Sequence, residues 1–225
     1  MNIPKSNINH LTFLSGFHLH KPDYNFKEVS GKLINEIDEI LNVEFQKIDV
    51  DNNLILLKSK TNKYFDIQLH SDKLIYEDST IDFKEFQAKS FSIFEAWQKL
   101  SERAKKPRLV GTRRRFQILL EESKSKYHSF LLDNYIKNAE FDGEKKQTLF
   151  LVNSIKSHKG DDYNINLNFN EIYGEDHILE IHIDINRVDN EKIGLLTSDK
   201  ISQIYNYSEF YYDNELFKNI KIDII

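Results

Sequence analysis

The chain has 225 residues and no cysteine. That single absence excludes disulfide staples, zinc–thiolate centres and cysteine nucleophiles, and it fits a reducing compartment. Glycine and proline are scarce, at seven and three. Few breaks therefore punctuate the chain, and element boundaries must be read from hydrophobic periodicity. There is no Gly-rich phosphate loop, dinucleotide fingerprint, Gly-x-Ser-x-Gly elbow or His-Glu-x-x-His helix, which removes the usual signatures of nucleotide and hydrolase chemistry. No stretch approaches the roughly 20 apolar residues that a membrane span needs. The opening MNIPKSNINHL holds no apolar run of signal-peptide length. These absences predict a soluble, cytoplasmic chain.

What remains is ordinary globular material: 40% hydrophobic and 30% charged residues, with a net charge of -5. A chain of this length buries enough surface to need no metal staple. Arginine is rare but clustered. Of Arg103, Arg108, Arg113, Arg114, Arg115 and Arg187, five fall between 103 and 115, together with Lys105 and Lys106 and no acid. An acidic chain is a poor general polyanion binder, yet a local basic island can still hold one anionic partner.

Periodicity orders the elements. Residues 11–20 alternate as a strand, with Leu11, Phe13, Phe17 and Leu19 on one face and His18 and His20 on the other. Residues 25–42 carry Phe26, Val29, Leu33, Ile37, Ile40 and Leu41 at helical spacing. Short strands follow near 44–50, 54–60, 63–69 and 73–77, then a long helix over 83–104 that Pro107 ends. The pattern then begins again. A strand at 108–120 and a helix at 124–138 lead to longer strands near 145–156, 162–172 and 177–188, and a last helix spans roughly 198–218. The expectation is an α+β fold: antiparallel sheet with helices packed on one face. It has two similar strand–helix–meander–helix halves, 1–106 and 107–225, packed as separate domains or as one continuous unit. Gly16 and Gly111 occupy matching places in the two opening strands.

Three segments occur in a suggestive order: the helix FSIFEAWQKL, the strand GTRRRF and the strand LEIHIDINR. Together they resemble a sporadically distributed, uncharacterised bacterial protein family of about this length. Its members carry a Gly-x-Arg strand mid-chain and an Asp-rich strand before the last helix. Gly111 and Arg113 fit the first motif. The resemblance implies a fold and no activity.

The arginine strand is the sharpest local feature. Alternation places Val110, Thr112, Arg114, Phe116 and Ile118 on one face, and Gly111, Arg113, Arg115 and Gln117 on the other. The first face is apolar, so Arg114 points into the core layer, where a guanidinium calls for a carboxylate partner. Arg113 and Arg115 either pair with acids on a neighbouring strand or present a row for anions, since arginine is the residue for planar bidentate contact. The strand EIHIDIN offers those acids: Ile181, Ile183 and Ile185 face the core while Glu180, His182, Asp184 and Asn186 face out. The same strand could form a metal or acid–base cluster but supplies too few fixed ligands alone. Asn164, Asn166, Asn168 and Asn170 alternate with a core face and make an uncharged polar row. His18 and His20 offer two nitrogens, fewer than zinc takes. No metal and no cofactor are expected.

Three functions remain. The first is a non-enzymatic binding module, of accessory, immunity or antitoxin-like kind. It would dock a protein partner through Arg113, Arg115, His18, His20, Glu180, His182 and Asp184. The second is a nucleic-acid or nucleotide-binding component with Arg103, Lys105, Lys106 and Arg108 on phosphates. An enzyme with a site at His182 and Asp184 trails both. The aromatic stretch YNYSEFYYDNELF of the last helix could also serve a homodimer, with Tyr207 and Phe210 partly outside the core stripe.

Overall fold

A computed structural model describes residues 2–60, 65–119, 149–171, 178–188, 198–220 and 223–224. Its strands are β1 (Asn2–Ile3), β2 (Ile8–Leu19), β3 (Phe45–Asp51), β4 (Leu54–Ser59), β5 (Asp66–His70) and β6 (Lys73–Asp78). They continue with β7 (Pro107–Leu119), β8 (Leu149–His158), β9 (Asp161–Glu171), β10 (Ile178–Val188) and β11 (Asp223–Ile224). The helices are α1 (Phe26–Leu41), α2 (Phe83–Leu100) and α3 (Ser198–Tyr211). The helix expected at 124–138 lies outside the described residues.

Nine strands form one antiparallel sheet in the order β3-β4-β5-β6-β2-β7-β10-β9-β8. The expected α+β architecture is what the chain adopts. The two opening strands, β2 and β7, meet at the middle, and Gly16 lies directly opposite Gly111. The chain's ends add a two-stranded parallel pair, β1 with β11.

The helices form where apolar residues recur at three- and four-residue spacing. In α1 these are Phe26, Val29, Leu33, Ile37 and Leu41, all buried, and Asn42 in the left-handed region closes the helix. In α2 the Asp82 side chain accepts from the Glu85 amide at 2.8 Å, a standard N-cap. This helix stops at Leu100, four residues short of the expectation. Ser101 turns to extended backbone and its hydroxyl donates to Asp23, which draws the chain off axis before Pro107 can act. Among the described residues all three helices pack on the same sheet face. Phe17 stacks on Phe94 at 4.4 Å, and the Ser15 hydroxyl meets both Ser90 (3.0 Å) and Tyr205 (2.6 Å), a point where β2, α2 and α3 converge. Tyr207 is not peripheral as its place in the sequence suggested: it is buried and stacks on Tyr163 at 4.2 Å.

The opposite sheet face carries none of the described helices. Alternation fixes which residues it presents. In β7 these are Leu109, Gly111, Arg113, Arg115 and Gln117, and in β10 Glu180, His182, Asp184 and Asn186.

The central glycines are not equivalent in their surroundings. A methyl group at Gly111 would sit 2.8 Å from Asn186 Cβ and 3.2 Å from the Ile185 carbonyl oxygen. At Gly16 the nearest atom would be His18 Nε2 at 3.5 Å. Gly111→Ala is therefore expected to destabilise by about 1–3 kcal/mol through overpacking against a neighbouring backbone. Gly16→Ala should stay within about 0.5 kcal/mol or stabilise, because alanine loses less entropy in a strand. Urea unfolding of the two variants checks the contrast.

Candidate functional site

β10 runs antiparallel to β7 with Asp184 opposite Arg113, His182 opposite Arg115 and Glu180 opposite Gln117. Strand pairing alone therefore gathers five of the expected site residues on one patch. Arg113 grips Asp184 through two bonds, Nε to Oδ1 at 2.5 Å and Nη2 to Oδ2 at 2.9 Å, the fork geometry that lysine cannot make. Arg115 reaches diagonally to Glu180 Oε1 at 3.1 Å and lies 3.9 Å from Glu77 on β6. Glu180 is the hub. It also receives His182 Nε2 at 2.5 Å and Gln117 Nε2 at 3.4 Å.

The electrostatics follow from that hub. Burial alone would raise the Glu180 pKa, but the hydrogen bond from His182 and the charge of Arg115 outweigh it and hold the carboxylate below its usual range. His182 is pushed down from the usual histidine value, first by burial and then by Arg115 and Arg113, against the pull of Glu180. It is neutral near pH 7 and its Nε2–H donates to Glu180, so the 3.4 Å contact of Asn170 with the same nitrogen is weak. Beside this patch, Asp66 and Glu77 lie opposite each other on β5 and β6. Burial raises both, and Asp66 adds to the rise of Glu77. This carboxylate pair went unnoticed in the sequence, although the tight Ser71–Asp72 connection places Asp66 opposite Glu77 by register alone.

The remaining expected residues are elsewhere. His18 shares the open face, but it lies opposite Leu109 while Leu14 faces Arg113. Four strand residues separate the two positions, about 13 Å. Gly16 and Gly111 face each other in an antiparallel pair, so steps of two from each run in opposite directions. His18 and Arg113 therefore take corresponding places without meeting. Burial and Lys73 lower the His18 pKa. His20 falls beyond the end of β2 and is exposed.

The basic island begins in the turn after α2 and runs on into β7. Arg103 lies over the Tyr24 ring at 4.6 Å and Lys105 pairs with Glu102. Lys106 and Arg108 are exposed. Arg114 points to the helix side as expected, but no carboxylate meets it there among the described residues: the rings of Phe83, Phe13 and Tyr212 do.

The Asn row continues the open face outward. Asn164 donates to Asn186 at 3.2 Å. Next to it, β8 presents Leu151 opposite Asn168 and Ile155 opposite Asn164, with these two side chains 53% and 71% exposed. Sequence alternation alone did not single them out, because β8 mixes polar and apolar residues on both faces. Among the described residues no cluster of three or more histidine or acidic side chains could hold a metal ion. No described helix is long and apolar enough to cross a membrane.

No family model and no curated protein matches the chain. Among solved structures it is similar to the TBP of Methanococcus jannaschii, at 9% identity over 96% of this chain and 98% of that one, with a TM-score of 0.35. It is also similar to the apo immunity protein TplEi of the T6SS from Pseudomonas aeruginosa, at 9% identity over 88% of each chain and a TM-score of 0.20. A chain of the Tle4–Tli4 complex matches at 10% identity over 90% of this chain and 95% of that one, with a TM-score of 0.19. At such scores these likenesses carry no functional argument.

Two outcomes test the electrostatics. Glu180→Gln removes the group that raises His182, so the ring of His182 should titrate still lower, as followed by NMR of its ring protons. His10, His18, His70 and His182 all have folded pKa values depressed by burial first. The unfolded chain then takes up protons before the folded one does, so stability should fall as pH drops through about 6.5. Above that value this contribution is fully present. Urea midpoints at steps between pH 7.5 and 6 read it, with Glu77→Gln as the background that removes the raised carboxylate, whose contribution has the opposite sign.

Proposed function

We propose that the chain is a non-enzymatic binding protein of the cytoplasm that docks a protein partner through the open face of its sheet, in an accessory, immunity or antitoxin-like role. The observation that carries this reading is the internal pairing of the charges on that face. Arg113 is held by Asp184, and Arg115 lies among Glu180 and Glu77. A polyanion approaching them meets an acid beside each cation. A protein surface meets something more favourable: fixed and neutralised polar groups, an amide row that can donate and accept, and the exposed Leu151 and Ile155 at its margin. Arg113, Arg115, Glu180, His182 and Asp184 would give the patch its specificity, with His18 extending it.

The nucleic-acid alternative gains less. Two of its four cations are already engaged, Arg103 over an aromatic ring and Lys105 with Glu102. A homodimer through the last helix has little ring surface left, since Tyr205, Tyr207, Tyr211 and Tyr212 are buried within the chain. The resemblance to a sporadic bacterial family belongs with this proposal and adds no activity to it.

The test is capture from host extract followed by reconstitution with the purified partner. Asn168→Arg and Ile155→Arg alter the open face, and Glu36→Arg alters an exposed position on α1. The expected outcome is one protein retained by the wild type and by Glu36→Arg, insensitive to nuclease, and lost or weakened at least ten-fold by both open-face variants. Equal capture by all four proteins would overturn the reading. So would nuclease-sensitive recovery with a steep loss of affinity in salt, which would establish the nucleic-acid alternative instead.

A further inference from the structure

Arg114 lies on the covered side of the sheet and is only 4% exposed. Its guanidinium carbon is 3.5 Å from the centre of the Phe83 ring and 4.8 Å from that of Tyr212. Stacking satisfies the flat faces of a guanidinium but not its in-plane donors. Nε and Nη2 are buried and have no hydrogen-bond partner among the described residues. A buried donor left unpaired bears its full desolvation cost with nothing to offset it. Burial accordingly draws the Arg114 pKa down to about 10, with only partial compensation from Tyr212, Asp213 and Glu209. The group is still a cation at neutral pH.

The residue at the corresponding count in β2 is not a cation. Counting three residues on from the paired glycines gives Arg114 in β7 and Leu19 in β2, and Leu19 is simply packed in the core.

Arg114 lines a cavity of about 560 Å³, within the size range of small-molecule sites. The far wall is made by an unusual turn. α3 continues as a π-helical turn at Tyr212–Leu216 before Phe217. In an α-helix, residues five apart diverge. The wider turn instead brings Phe217 beneath Tyr212, with ring centres 5.5 Å apart, and both line the cavity. His10 completes that wall. Burial, foremost, lowers its pKa, so it is neutral and accepts the Tyr212 hydroxyl at 3.0 Å, adding no charge. The exposed residues that line it are Lys5, His10, Asp82 and Asp213.

We infer that this cavity binds a small monocarboxylate with an apolar, ring-bearing body, its carboxylate bridging Nε and Nη2 of Arg114. Those two nitrogens form the edge of the guanidinium that matches a carboxylate with two parallel bonds. The aromatic walls suit an apolar body. Lys5 offsets one of the two acids at the rim, and the acid that remains repels a doubly charged anion such as phosphate more than a singly charged one. Nε and Nη2 are covered by neighbouring side chains, so the ligand engages them by displacing part of that cover. This site faces away from the open face, so either proposal can fail alone.

The full chain, labelled with ¹⁵N at arginine, is titrated with benzoate, phenylacetate, benzamide and inorganic phosphate while the Arg114 Nε–H resonance is followed. The expected result is a saturable shift with both carboxylates, binding at least ten-fold weaker for benzamide, and no response to phosphate. Arg114→Met, which keeps the bulk without the donors, should fold and lose benzoate binding at least ten-fold. Lys5→Met should weaken it only a few-fold. Absence of a saturable benzoate response overturns the proposal, as does equal binding of benzamide or unchanged binding by Arg114→Met. Should Arg114→Met fail to fold, the comparison of benzoate with benzamide on the wild type decides alone.

Discussion

The antiparallel pairing of β2 with β7 is the constraint from which the rest of the molecule is built. It joins two long strands from distant parts of the chain at the centre of a nine-stranded sheet, with Gly16 against Gly111. Because side chains alternate, this one register sorts the arginine run into two populations. Arg113 and Arg115 go to the face that no described helix covers, and Arg114 goes beneath the helices. A slip of one residue would exchange them, leaving two arginines in the core and Phe116 and Ile118 in the open. The burial of Phe116 and Ile118 is thus what holds the two outer arginines in place.

The three arginines then meet three kinds of compensation. Arg113 has a bidentate carboxylate, Arg115 a shared one, and Arg114 only aromatic faces. The first two are partly solvated, and pairing there costs little desolvation while fixing side-chain geometry. The third is not solvated, and a buried guanidinium without an acid is normally selected against unless something else meets its donors. The same chemistry therefore reads as a prepared surface on one side of the sheet and as an unmet demand on the other. Neither resembles a phosphate-tracking groove, in which cations run along a surface without acids between them.

Much of the architecture was legible in the sequence, because it rests on local periodicity. The α1 stripe from Phe26 to Leu41 and the alternation in EIHIDIN each declare their element without tertiary information. The pairing of Arg113 and Arg115 with Asp184 and Glu180 was also foreseeable, since two alternating strands of complementary charge gain by lying side by side. Other features depend on distances no local pattern encodes. Glu77 joins Arg115 only because β6 lies two strands away across β2. Phe217 meets Tyr212 only because one turn of the last helix is widened, and its residues read as ordinary helix. Leu151 and Ile155 look like core residues until β8 proves to lie at the margin of the described sheet.

Arg114 shows where reasoning from residue type goes astray. A buried cation suggests a buried anion, and the expectation of a carboxylate partner followed from charge alone. Geometry permits a second solution, in which rings occupy the space above and below the guanidinium plane and its edge is left over. Rings compensate a cation without neutralising it, since the interaction is with a quadrupole and acts along one axis. An acid at that edge would have closed the site with a permanent ion pair. Its replacement by aromatic walls leaves the cation charged, desolvated and directional. Those three properties together allow a buried arginine to discriminate a carboxylate from the neutral amide of the same shape.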